Sequence, residues 1–163
     1  MLNKIILWTL LIAPWFTLFL LKKEDIKRFM PSAIFASYLM IIYNVIANNQ
    51  KHWVINETLI PWLKPLFVSG VFGAFPVITL WIFYFTYRKF WIYLVTNILL
   101  DFMFAIFPIH YLFQDILGIY KLVNISSWER FILFVALSVI IYGFYKWQEM
   151  IFKPELKERG RTY

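Results

Sequence analysis

The chain has 163 residues, of which 62% are hydrophobic and 15% charged, with a formal net charge of +7 and no cysteine. A chain this short leaves too much surface to hide so much apolar material in a water-soluble core, so the expected solvent is a lipid bilayer. The missing cysteines exclude disulfides, thiolate metal sites and cysteine nucleophiles.

The first apolar run covers residues 5–21. It lies near the lower length limit for a membrane span, and Lys22 and Lys23 follow it in place of a cleavage site, so it reads as a retained helix kinked at Pro14. The charged turn KKEDIKR leads to a second run, residues 31–48, which contains Ser37, Tyr38, Tyr43 and Asn44. Residues 51–62 read as a loop, with Trp53 and Trp62 placed for an interfacial aromatic belt.

The third run, residues 63–87, carries Ser69, Gly70, Gly73 and Ala74. Ser69 with Gly73, and Gly70 with Ala74, are spaced to share helix faces that let a second helix approach closely, so these are read as packing residues. Arg88 and Lys89 make a tight turn into the fourth run, residues 90–113, so the third and fourth runs are antiparallel neighbours. Residues 114–129 alternate apolar and polar groups and form either an interfacial helix or a compact loop. The fifth run is 131–152, and 153–163 reads as a polar tail.

The expected fold is therefore an all-α integral membrane protein, a single bundle of five transmembrane helices. Eleven Lys and Arg residues fall on the side of the 22–28 turn, the 88–89 turn and the C-terminal end, against five on the other side. The positive-inside bias then puts the C-terminus in the cytoplasm and the N-terminus outside. The basic charge serves topology on this reading, so nucleic acid is not an expected partner. The expected partners are the lipid bilayer and, beyond it, other membrane proteins or a second copy.

One acid interrupts the fourth run. Asp101 sits about 11 residues past its start, ~16 Å along a helix. An ionised aspartate at the middle of a span costs about 2.5–3.5 kcal/mol on insertion scales. Asn97 lies one turn earlier on the same face, and Asn44 reaches a similar depth on the second run, so Asp101, Asn97 and Asn44 form the candidate intramembrane polar site. Asp101 is a packing hydrogen-bond partner, a member of a proton, cation or amine site, or a group exposed near a local water defect. His110 near the outer end reads as an interfacial histidine. His52, His110, Glu57, Asp115 and Glu129 are the outer groups that a surface enzyme or metal site would have to use. They lack any recognised ligand spacing, and no catalytic or phosphate-binding motif is present, so no metal and no cofactor is expected.

The segments KKEDIKRFMPSAIFASYLMIIYN and GAFPVITLWIFYFTYRKFW resemble a family of small, aromatic-rich, functionally uncharacterised multi-pass proteins of spore-forming Gram-positive bacteria such as bacilli and clostridia. The shared features are a basic turn before a Pro-Ser/Thr helix start, a Phe-Pro in the third span and an acid in the fourth, here Asp101. Where members carry a Gly-Trp-Asn-like segment, this chain reads NISSWER. The resemblance implies a bacterial plasma membrane and carries over no catalytic residue.

The expected function is a non-enzymatic multi-pass membrane protein, an accessory or interaction component of the cell envelope. The alternative is a small transporter or substrate-binding membrane component with its acidic site at Asp101.

Overall fold

The structure is a computed structural model that describes residues 1–152; the expected tail, 153–163, lies outside the described residues. It is mostly helical. Four helical segments are long and apolar enough to cross a membrane: Leu2–Leu20, Lys23–Asn49, Phe90–Ile116 and Ser127–Phe152. The apolar segment Gly70–Thr86 is shorter.

Helix α1 (Leu2–Phe16) contains Pro14 and continues as a 3-10 turn over Thr17–Leu20. Helix α2 (Lys23–Asn49) begins eight residues before the expected apolar start. Glu24 and Asp25 in its first turn favour the helix N-terminus electrostatically, so the charged turn itself winds into the helix and Pro31 falls inside. At its other end α2 closes with a left-handed residue, Lys51 (φ 53°), as His52 N–H donates to Ala47 O at 2.8 Å and Lys51 N–H to Asn48 O at 3.3 Å. That is a Schellman cap with lysine where glycine is the usual choice.

The third apolar run starts later than its composition suggests. Pro61 and Pro65 lack amide hydrogens, and Ile60 before Pro61 is held extended (φ −122°, ψ 103°). Only a 3-10 turn forms at Pro61–Leu63 before a π-helical turn, Gly70–Ala74, leads into α3 (Phe75–Thr86). Helix α4 (Phe90–Ala105) breaks near Pro108, and a short α5 (Ile109–Tyr111) with a π-helical turn over Leu112–Ile116 extends it. Helix α6 (Ser127–Phe152) starts earlier than residue 131 because Ser126 and Glu129 form a capping box. The Glu129 carboxylate accepts from Ser126 N–H at 2.7 Å, and Ser126 Oγ accepts from Glu129 N–H at 3.2 Å.

Residues 51–62 and 114–129 hold a feature that an all-helical reading lacks. Strands β1 (Trp53–Ile55) and β2 (Tyr120–Leu122) pair antiparallel, with Val54 opposite Lys121. This ribbon joins the ends of α2 and of the α4–α5 segment at one end of the bundle, here termed the ribbon end. The pairing sits in polar-interrupted sequence whose alternation is too short to distinguish a strand from a loop.

Contacts fix the helix directions. Phe29 meets Phe83 (5.8 Å) and Tyr87 (5.8 Å) at one end, while Asn44 Oδ1 accepts from Phe67 N–H at 3.0 Å at the other, so α2 and the third apolar segment run antiparallel. Tyr93 against Tyr142 (5.0 Å) and Phe102 against Phe131 (6.2 Å) make α4 and α6 antiparallel. Asn3 donates to Leu117 O at 2.8 Å, which puts the start of α1 at the ribbon end. The main core lies toward the other end, around Phe29, Phe83, Tyr93 and Tyr145. There Arg88 and Lys146 pair with Glu149 at 3.7 and 3.3 Å, and Arg28 lies 4.8 Å from the Tyr87 ring.

Candidate functional site

The small residues of the third run divide between two jobs. A Cβ at Gly73 would run into the Leu10 carbonyl oxygen and lie 2.6 Å from Leu11 Cα, so this glycine lets the α1 backbone touch. Ser69, four residues earlier, is also buried. Gly70 and Ala74 instead line a cavity.

Asp101 and Asn97 share the wall of one cavity, about 60 Å³, between α2, α3, α4 and α6. They do not bond as their spacing suggested. Asn97 donates to Tyr93 O at 2.8 Å, the carbonyl one turn back in its own helix. The Asp101 Oδ2 is buried with no hydrogen-bond partner among the described residues. The polar groups that share its cavity are Thr79, Asn97 and Ser138; the remaining walls are apolar.

Asn44 does not join that group. It spans α2 and the third segment, donating to Met40 O at 2.7 Å and accepting from Phe67 N–H. It lines a second cavity, about 70 Å³, nearer the ribbon end. Met40, Phe75, Phe104 and Phe134 line both cavities and so form the partition between them.

The second cavity holds the group that residue-by-residue reading passed over. Arg130 is only 4% exposed. The capping box places it in the first turn of α6, and its side chain crosses to the end of α4. Its Nη2 donates to Ala105 O at 2.9 Å and to Phe104 O at 3.1 Å, the carbonyls freed where α4 breaks. Nη2 also lies 2.8 Å from His110 Nδ1, and Nη1 donates to the Tyr120 hydroxyl at 3.0 Å. Nε is buried and has no partner among the described residues. The ion pairs among those residues are the two at Glu149, at the opposite end, so this guanidinium has no carboxylate partner.

A guanidinium carries donors only, so the His110 Nδ1 that faces it is the acceptor nitrogen. The ring hydrogen is then assigned to Nε2, which points to Ser127 Oγ at 3.3 Å. Tyr120 Oη, 2.8 Å from Nδ1, donates to the same nitrogen. Burial pushes the Tyr120 phenol above its usual value, against the pull of Arg130, so the hydroxyl keeps its hydrogen at neutral pH. His110 is thus a buried link between α5, β2 and α6 rather than an interfacial histidine.

His52 stands apart from this cluster, with its ring 6.3 Å from that of Tyr43. Among the described residues no three histidines or acids gather into a group able to hold a metal ion. The one sequence signal for Arg130 was S-x-x-E directly before it, which moves the helix start and with it the arginine. The chain matches no protein-family model, no curated protein and no solved structure.

Proposed function

We propose that the chain is a five-span membrane protein, N-terminus and β-ribbon outside and C-terminus cytoplasmic, that binds a small ligand inside its helix bundle without transforming it. It serves as the substrate-binding component of a cell-envelope system, in the bacterial plasma membrane that the sequence resemblance implies. The observation that carries the reading is the pair of adjoining cavities. One presents an unpartnered carboxylate oxygen and the other an arginine without counter-charge, on either side of the Met40, Phe75, Phe104 and Phe134 partition. Buried charges of this kind are costly in a bilayer and mark ligand or ion sites more often than lipid-facing surface.

The five-span topology is supported by the ribbon. Because α2 and the α4 segment both end there, the intervening Gly70–Thr86 segment has to return across the bundle. The orientation is supported by the excess of Lys and Arg at the opposite end.

The test is native mass spectrometry of the protein purified from its own membranes in mild detergent. One retained non-protein molecule per chain is expected. It should be lost when Leu10→Trp and Leu137→Trp together fill the two cavities. A wild-type chain that leaves the membrane bare would overturn the reading.

A further inference from the structure

We infer that the ribbon-end cavity is a site for an amphiphile with an anionic oxygen headgroup, phosphate or carboxylate, seated on Arg130 with its apolar chain along the aromatic wall. The inference rests on the ligand-binding reading above and names the ligand's chemistry.

The guanidinium is held, but not neutralised. Two helix carbonyls, a phenol oxygen and an imidazole nitrogen surround it, all of them uncharged acceptors. These fix its plane without cancelling its charge. Its Nε–H has no acceptor among the described residues although the residue is only 4% exposed. Arg130 also sits in the first turn of α6, where the helix dipole disfavours a cation, and Asp115, on the nearby π-helical turn, is exposed. A positive side chain kept in that place, oriented by neutral groups and missing one acceptor, is arranged for an anion that the chain does not itself supply. Arginine is suited to that task because its fork matches carboxylate and phosphate oxygens.

The rest of the cavity sets the other half of the ligand. Trp53, Phe67, Phe75, Phe113 and Phe134 make its walls mainly aromatic, with Asn44 and Tyr120 as the other polar groups. A free inorganic anion would gain nothing from those walls, and a plain hydrocarbon nothing from Arg130. The bare backbone at Gly70 keeps that wall clear, since a Cβ there would meet the Phe67 and Phe75 rings at 2.5 to 2.9 Å.

The test uses the full chain in a non-ionic detergent and reads its thermal unfolding midpoint. The probes are dodecyl phosphate and laurate, with dodecanol and inorganic phosphate as the headless and chainless controls. A ligand at a hundredfold excess over Kd is expected to raise the midpoint on the order of 5–10 °C. At least one of the two charged amphiphiles should do so, and neither control. Arg130→Gln should abolish the shift measured from its own baseline. If that variant does not fold, Leu10→Trp, which fills the cavity from α1 and leaves the arginine in place, should abolish it instead. An equal shift with dodecanol, an equal shift with inorganic phosphate, no shift at all, or a shift retained in Leu10→Trp would each overturn the assignment. A chain that holds a native ligand yet ignores both charged amphiphiles rejects the headgroup class alone; a chain that is also bare rejects the binding reading with it.

Discussion

Arg130 Nη2 lies 2.9 Å from the carbonyl oxygen of Ala105, so the first turn of α6 caps the broken end of α4. The open carbonyl end of α4 near Pro108 is thereby tied to the capped start of α6 by one side chain. The same side chain reaches His110 and Tyr120, so the α4 break, α5 and the ribbon converge on a single guanidinium.

Replacing Arg130 by methionine keeps most of the volume and removes every donor. The Phe104 and Ala105 carbonyls then lose their Arg130 partner, while His110 Nδ1 keeps the Tyr120 hydroxyl. A buried polar group left unsatisfied costs about 1–3 kcal/mol, so the variant is expected to lose at least that much stability. Arg130→Lys should recover only part of it, because an ammonium cannot span all four acceptors in one plane. Chemical or thermal unfolding in detergent would decide, and equal stability of all three proteins would show that the cap carries no weight.

Gly73 and Gly143 give opposite expectations for the same change. At Gly73 an added Cβ meets the α1 backbone, whereas at Gly143 nothing lies within 4 Å. Gly73→Ala should therefore destabilise by about 1–3 kcal/mol through overpacking. Gly143→Ala should stabilise by up to about 1 kcal/mol through helix propensity. Comparing the two unfolding midpoints tests whether α1 docks on the third segment as described.

Lys51 closes α2 with φ 53°. Left-handed geometry costs a non-glycine residue about 1–2 kcal/mol, and glycine adopts it freely. Lys51→Gly is expected to raise stability by about 1 kcal/mol, measured as a rise in unfolding midpoint. A fall would mean that the lysine side chain contributes more than its backbone costs.

Asp101→Leu removes a carboxylate oxygen that has no partner among the described residues and places apolar volume into a cavity. Swapping an unsatisfied buried polar group for an apolar one is expected to be neutral or stabilising by about 1 kcal/mol. Unchanged or raised stability, read by unfolding in detergent, is the expected outcome. A strong loss of stability would instead make Asp101 a structural group.

The chain has no cysteine, so single-cysteine variants report topology without background. Lys121→Cys in the ribbon should react with a membrane-impermeant maleimide on intact cells. Lys22→Cys and Lys89→Cys should react only after the membrane is opened. The reverse pattern would invert the proposed orientation.

The membrane character of this protein was legible in its sequence because span formation depends on local quantities. Apolar runs of sufficient length mark the helices whatever their partners are, and the four long spans fall within or around four of the five expected runs. Asp101 was equally legible, since an acid in an apolar run is anomalous before any neighbour is known. Helix ends were less so. The Pro61 and Pro65 delay, and the early start of α2 through its charged turn, depend on backbone hydrogens and capping rather than hydropathy.

Only the tertiary structure decided which polar groups meet. Helical spacing put Asn97 on the face of Asp101, but its amide found the Tyr93 carbonyl one turn back, which costs no reach across the bundle. Depth placed Asn44 level with Asp101, but rotation about α2 turned it into the other cavity. Arg130, counted in the sequence as one of the outer charges, became the centre of that cavity. Its setting is made by residues from four separate stretches, Asn44, Phe104–Ala105, His110 and Tyr120, which only chain folding brings together. Sequence pattern carries the one-dimensional periods of helices and spans, whereas a site is a three-dimensional coincidence of side chains that no period encodes.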